Sequence, residues 1–507
     1  MKKKILGTAI LLASMLGVAS LTSCGRGGVE NAGEAFKLLS LDDIKGTEEP
    51  IVVEFWHSFG HNITQELDPL IDSFEEEMQK QGFNIQVKAT ATGGGYDGLR
   101  ERVNLGTRSK SIPTLLLGYP DHFADYIAND ILLPLDDFVN ASDENIALEG
   151  VNLETGENDF IPSYWAENQL TVKGETKICG IPFNKSTEIM VYNASLVDPI
   201  LYEKGYITKE GNTYGAWENP TWDQVWEVSK YILDNKNNLT WTYNGATYNV
   251  SSETEYPVYV DSEANFFITV GRQWGGDGLY TVVDSNGEGT VVSNNATNKT
   301  AMEYFYQKAQ SKLFQFPQKK SQSYGSNFLN NEQAFISIGS TAGINNNASK
   351  KYELKAAGIP QKADSSTKAV IQQGTNLAIL TANSNNKTRL AAWLLIKYLT
   401  NTENTATFSR NTGYLPVRTS ALESDSYQQF LANENDPFEG YVAKAINAAF
   451  SQKDFFYTDP AFTGSSIVRD YTNTLVQDIF IYDKSFDSAI KSFYANLEQL
   501  DIKTATK

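Results

Sequence analysis

The chain has 507 residues, 41% of them hydrophobic, and a formal net charge of −19. A surface this acidic repels phosphate backbones, which argues against nucleic acid as a partner. The length exceeds one ordinary domain and predicts two lobes.

At the amino terminus Lys2, Lys3 and Lys4 precede an apolar run over residues 5–21, which ends in Leu21-Thr22-Ser23-Cys24. A basic start, an apolar stretch and small residues at a cleavage point make residues 1–23 a secretion signal, separate from the fold. Leu-Thr-Ser before a cysteine is similar to a bacterial lipobox, whose thiol takes a diacylglycerol and becomes the first residue of the mature chain. Cys24 is therefore the expected lipidation site. A single membrane-spanning anchor is the competing reading, since the run is nearly long enough to span. No second apolar stretch reaches that length. The expected location is extracytoplasmic, lipid-anchored on the outer face of the cytoplasmic membrane or in a periplasm. Cys179 then remains as one thiol without an internal partner. Its setting, Ile178-Cys179-Gly180-Ile181, predicts a small buried hydrophobe.

Residues 24–49 are Gly-rich and charged and read as a flexible tether. Ile51-Val52-Val53-Glu54-Phe55-Trp56 is a short β-rich run. Leu67, Leu70, Ile71, Phe74 and Met78 then recur at helical spacing, and Gly82 ends that helix. Asn84-Ile85-Gln86-Val87 is a second strand. A Gly-rich turn, a helix over 97–105 and a buried strand, Thr114-Leu115-Leu116-Leu117, follow. Alternation of strand and helix predicts a parallel sheet with right-handed crossovers. Ligands sit beyond the carboxyl ends of such strands. Those ends carry Trp56-His57-Ser58, the glycines before Tyr96, and Tyr119-Pro120-Asp121. Farther on, Thr221 and Gln224 form a capping box for a helix with Trp222, Val225, Trp226 and Ile232 on its apolar face. Residues 241–248 alternate around Asn244-Gly245, a hairpin signal. Phe335-Ile336-Ser337-Ile338 and Ala378-Ile379-Leu380 read as strands. Leu390, Trp393, Leu394 and Leu399 lie on one helix face, and residues 465–500 are largely helical.

Gly93-Gly94-Gly95-Tyr96-Asp97-Gly98 matches the dinucleotide pattern G-x-G-x-x-G. The match follows the second strand rather than the first, and a nicotinamide cofactor is not expected outside the membrane. A tight loop that lets the backbone approach a ligand is the simpler reading. His57 and His61 are spaced like two ligands on one helix face, but Gly60 intervenes and no H-E-x-x-H is present, so no metal site is expected. Asp136-Asp137 reads as a solvated acidic pair, and no G-x-S-x-G elbow is present. No catalytic residue and no cofactor are expected, which favours a binder over an enzyme.

Several strings resemble, in order, the family 1 extracellular solute-binding proteins of ABC importers. They are Phe55-Trp56-His57-Ser58, Gly180-Ile181-Pro182-Phe183-Asn184-Lys185-Ser186-Thr187, Pro220-Thr221-Trp222-Asp223, Gly374-Thr375-Asn376-Leu377, Ala392-Trp393 and Thr412-Gly413-Tyr414-Leu415-Pro416. Within that family the Trp-His-Ser and Asn-x-Ser-Thr strings look most like the sn-glycerol-3-phosphate- and sugar-binding proteins. The resemblance implies an α/β chain with the two-lobed type II periplasmic-binding-protein fold. Each lobe is then a mostly parallel sheet flanked by helices, and hinge strands cross between them. Residues 50–186 and 338–400 would form lobe 1, and 187–337 and 401–507 lobe 2, with crossings near 182–187, 338–341 and 400.

The same resemblance implies a monomer that captures a sugar, polyol or glycerol-3-phosphate-like solute and delivers it to ABC permease subunits. It points to ligand contacts at Tyr96, Asp121, Ser186, Ser340, Gly374, Tyr414 and Arg469. Trp56, His57 and Ser58 at the first strand end, and Trp274 as an aromatic able to stack on a sugar, complete the expected contacts. Carboxylates accept from hydroxyls, aromatics stack on sugar faces, and an arginine forks onto an anionic oxygen. A phosphorylated ligand rests on Arg469 alone. Packing alternatives remain for Tyr414, as a turn residue, and for Arg469, as the partner of a nearby acid. Segments 140–177 and 235–259 depart from the family pattern, and the second is expected to reshape the cleft mouth. A secreted glycoside-active enzyme using paired carboxylates and a sensor lipoprotein are the competing functions.

Overall fold

The first sheet is built by an alternating run in the amino-terminal part of the chain. In the computed structural model, which describes residues 34–434 and 440–507, that run is β1 (Ile51–His57), α1 (His61–Lys80), β2 (Ile85–Ala91), α2 (Gly95–Gly106), β3 (Leu115–Gly118) and α3 (Pro120–Ala128). The secretion signal and Cys24 lie outside the described residues. β1 pairs in parallel with β2 on one side and β3 on the other. Leu67, Ile71, Phe74 and Met78 form the buried stripe of α1, the spacing that keeps one helix face on a sheet. Gly82, at φ 91°, turns the chain out of the helix.

Next in chain order come β4 (Ile181–Asn193), β5 (Val258–Val260), α4 (Glu263–Gly275), β6 (Ile336–Ser340), β7 (Leu354–Gly358), β8 (Val370–Ile379), α5 (Asn386–Leu399) and α6 (Ser465–Phe480). β4 is the strand that passes from one lobe to the other, and it is buried along its whole length. Its first half pairs antiparallel with β8, from Ile181 against Leu377 to Thr187 against Gln372. Its second half lies between β6 and β7. β8 also crosses, pairing with β3 at one end and with Phe456–Tyr457 at the other. The lobes are thus like-directed strands, β2, β1 and β3 in one and β5 and β6 in the other, tied by two long antiparallel strands.

The expected return crossing at 338–341 is replaced by one through β8. Residues 338–340 and 354–358 both flank the second-lobe half of β4. Pairing explains this: β6 covers one edge of β4, and a buried strand left bare on its other edge would strand its N–H and C=O groups. β7 fills that edge.

Local signals appear where the residues place them. Gln224 N–H donates to Thr221 Oγ1 at 3.3 Å and Thr221 N–H to Gln224 Oε1 at 3.1 Å. Asn244 and Gly245 have φ of 50° and 77°, the left-handed pair a two-residue hairpin turn needs. In that hairpin Trp241 stacks on Tyr248 at 5.7 Å and donates to the Lys351 carbonyl at 2.8 Å. Cys179 is buried among Trp56, Leu99 and Phe123, and burial pushes its thiol up to about 12. Among the described residues no helix is long and apolar enough to cross a membrane.

Candidate functional site

Where the carboxyl ends of β2, β3 and β5 converge, a cavity of about 280 Å³ opens between the lobes. Loops that follow parallel strands gather at this edge, which is why the site forms here. The first lobe contributes Tyr96 at the start of α2 and Tyr119, Asp121 and His122 around the start of α3. β8 supplies the floor from Gln372 to Gly374, beside Glu167. Asn265 of α4, Asp459, and Ser466, Arg469 and Asp470 of α6 stand opposite.

The aromatic wall starts from the glycine-rich loop. Gly94 sits at φ 86°, and a Cβ on Gly98 would stand 2.6 Å from the Gly93 carbonyl oxygen. The loop therefore folds back tightly on itself and starts α2 with Tyr96 at the cavity. Tyr96 meets Tyr119 edge-on at 5.3 Å, and Tyr119 meets His122 at 5.5 Å. Asn184 Nδ2 donates to the Tyr96 hydroxyl at 3.1 Å, and the Tyr414 hydroxyl lies 3.4 Å from it. Burial pushes Tyr96 up to about 12 and raises Tyr119 and Tyr414 as well, so all three stay neutral at ordinary pH.

On the floor, Gly374 has φ 89°, and a Cβ there would lie 2.0 Å from the Asn184 carbonyl oxygen. This is the pinch of the two crossing strands, next to a register shift between Thr375 and Asn376. Beneath it Lys185 and Glu167 form an ion pair with side chains 0% and 3% exposed. Lys185 also donates to the Gly374 carbonyl at 2.9 Å. The side-chain amides of Gln372 and Asn376 donate to the Glu167 carboxylate. A buried pair survives its desolvation when its remaining sites are hydrogen-bonded. These bonds tie both crossing strands to the first lobe.

The opposite wall carries Asp459, Arg469 and Asp470. Arg469 donates to Asn265 Oδ1 and lies 3.5 Å from Asp459 Oδ2, with 32% of its side chain exposed. Asn265 in turn donates to Glu188 Oε1 of β4 at 2.9 Å. Burial pushes Asp459 up to about 6 and Glu188 up to about 7, while Arg469 pulls both down. Across the cavity Asp121 Oδ1 accepts from the His122 N–H at 2.9 Å. His122 Nε2 lies 3.7 Å from Asp97 and 3.8 Å from Asp121. His122 beside it holds the Asp97 carboxyl below the usual range. Asp97, Asp121, Glu167, Asp459 and Asp470 all line the cavity with Arg469.

Of the expected ligand groups, Tyr96, Asp121, Gly374 and Arg469 line this cavity, and Tyr414 stands behind Tyr96. The others lie elsewhere. Trp56 packs with Leu99 and Leu116, with the Arg102 guanidinium 4.8 Å over its ring. His57 is 1% exposed between Phe55 and Phe59, and burial pulls it down to about 4. β1 lies inside the sheet, so its side chains alternate into the layers on its two faces rather than toward the cleft. Ser58, in the turn after β1, has a buried hydroxyl. Ser186 is buried on β4 opposite Gln373. The Ser340 hydroxyl accepts from the Ala342 N–H at 3.3 Å and so caps a turn. Trp274 packs against Tyr304 and Phe305 at 5.4 and 5.2 Å. Among the described residues none from 235–259 lines the cavity, whereas segment 140–177 contributes Glu167.

Residues unassigned from the sequence also reach the cavity: Tyr119, Glu167, Asn265 and Asp459. Tyr119 carried a signal, its place just past a strand end. Glu167 and Asp459 carried none, since each arrives from a segment without a motif.

The family model for bacterial extracellular solute-binding proteins matches residues 70–435. No curated protein matches the chain by sequence. Among solved structures it is similar to UgpB from Mycobacterium tuberculosis in complex with glycerophosphocholine, at 18% identity over 90% of this chain and 99% of that one, TM-score 0.64. Maltose-bound MalE3 from T. maritima is similar at 15% identity over 89% and 100%, TM-score 0.64. The ABC substrate-binding protein Lmo0181 from Listeria monocytogenes, in complex with cycloalternan, is similar at 14% identity over 90% and 100%, TM-score 0.63. At these identities the likeness is one of fold, the two-lobed α/β architecture described above.

Proposed function

This chain belongs to the bacterial extracellular solute-binding proteins, and on that premise we propose that it captures a neutral saccharide between its lobes and passes it to the permease subunits of an ABC importer. The state of Arg469 carries the choice of ligand. Its guanidinium already faces Asp459 and Asn265, and further carboxylates share its cavity. A phosphate would have to displace Asp459 and enter a field of its own sign. Sugar hydroxyls meet no such barrier: they donate to Asp121 and accept from the neutral tyrosine hydroxyls, while tyrosine rings cover an apolar sugar face. Similar structures hold maltose and cycloalternan, and one holds glycerophosphocholine, so both ligand classes occur on this fold. Lipidation at Cys24 would keep the protein beside its permease, and Asp121, Tyr96 and the Gly374 backbone are its ligand contacts in this reading, with Tyr414 held behind Tyr96.

Calorimetric titration with maltose and with glycerol-3-phosphate tests the proposal, with mass spectrometry of the recovered ligand. Saccharide binding with the ligand returned intact supports it. Tight binding of glycerol-3-phosphate without any saccharide binding overturns the neutral-ligand choice. Conversion of the sugar would make the protein an enzyme.

A further inference from the structure

One side of the cavity is closed by two side chains that do not themselves line it, Arg100 and Asp125. Tyr96 and Arg100 lie one turn apart on the same face of α2. Tyr96 faces the cavity, and Arg100 reaches past it to the second lobe. The Arg100 side chain is 6% exposed. Its guanidinium donates to Ser466 Oγ in the first turn of α6 and, at 3.1 Å, to Asp470 Oδ2 one turn later. Asp125 of α3 makes a second bridge. Its carboxylate accepts from the Gly464 N–H at 2.9 Å, just before α6, and from the Ser466 hydroxyl at 3.4 Å. A first-lobe carboxylate thus caps the amino end of a second-lobe helix, where free N–H groups and the helix dipole favour an anion. Elsewhere on the rim the hairpin Gln169–Val172/Glu175–Ile178 of the first lobe touches the second. A Cβ on Gly287 would stand 3.3 Å from the Thr171 Cβ.

We propose that Arg100 and Asp125 form an inter-lobe latch that sets how long a captured solute is retained, apart from the groups that recognise it. Neither side chain lines the cavity, yet both end on α6, the helix that carries Arg469 into it. Parting the lobes must break the Arg100–Asp470, Arg100–Ser466 and Asp125–Gly464 bonds together. An exposed arginine–carboxylate pair contributes little, but a guanidinium shielded from water and shared between two acceptors binds more firmly. Bonds that break on opening, made by side chains outside the cavity, act mainly on the dissociation rate. The latch rests on the two-lobed solute-binding reading of the chain.

The test uses spin labels at Asp68→Cys and Lys491→Cys, exposed positions on opposite lobes, in a Cys24→Ser background with Cys179 buried. Pulsed electron resonance then reads the inter-lobe distance without ligand and with maltose. Arg100→Ala is expected to lengthen the ligand-free distances. It should also speed maltose release about tenfold while the association rate stays within about twofold. Asp125→Asn, nearly isosteric, should act in the same direction and decides the question alone if Arg100→Ala fails to fold. Unchanged distances and release rate in both variants overturn the latch. Should maltose not bind at all, the ligand-free distances still decide the latch.

Discussion

Asp459 governs what Arg469 can offer a ligand, because the two face each other at 3.5 Å inside the cavity. Replacing Asp459 with Asn removes that partner and one negative charge. Glycerol-3-phosphate affinity is then expected to rise at least about tenfold, as a freed guanidinium gains charge-assisted bonds to phosphate. Maltose affinity should change little, and calorimetry on both ligands reads the split. Asp121→Ala should do the reverse and weaken maltose by about 10- to 100-fold, the loss of a hydrogen bond to a charged group worth about 1.5–3 kcal/mol. Glu188 yields a pH prediction. Burial raises its folded pKa from 4.5 to about 7, Asn265 and Arg469 oppose the rise, and Asp261 adds to it. The folded state therefore holds the proton more tightly than the unfolded chain. The resulting stability is complete below about 4.5 and is lost as pH climbs through about 7. Glu188→Gln keeps an acceptor for Asn265 and removes the titration, so its Tm should exceed the parent's at pH 8 and match it at pH 4.

At the scale of elements, the crossing strands β4 and β8 hold the site together at their closest approach. Gly374→Ala puts a side chain at φ 89° against the Asn184 carbonyl, and the strain and overpacking should cost about 2–4 kcal/mol in urea unfolding. Lys185→Met leaves Glu167 charged and buried without its cation, a loss of about 3–5 kcal/mol. The same elements show what the sequence made legible. The capping box at Thr221, the Asn244-Gly245 turn and the buried stripe of α1 depend on neighbours three or four residues away, so their residues announce them. β7 has no such signal, because Leu354-Lys355-Ala356-Ala357-Gly358 has no β-branched residue and becomes a strand only beside β4. Tyr96 and Asp121 could be placed at strand ends by topology. Trp56 and His57 share such an end, yet β1 lies inside the sheet and turns them into its two faces.

For the whole molecule, two lobes joined by crossing strands should respond to a ligand that binds the closed form better. Small-angle scattering is expected to show a smaller radius of gyration at saturating maltose, and an unchanged radius would count against a clamp. Cys24→Ser should move the protein from the membrane fraction to the soluble one, and equal retention would refute the lipid anchor. The residues by themselves determined the alternation of strand and helix, the family, and the edge of the sheet at which a site would form. Each follows from period, turn chemistry or short motifs, which act over a few positions. Only the tertiary structure decided that Glu167 and Asp459 reach the cavity, that Arg469 arrives there already paired, and that Arg100 binds across the cleft. Those pairings join residues about 10 to 370 positions apart, and whether two such groups meet is set by how the elements, and for Arg100 the two lobes, pack together, which no local pattern encodes.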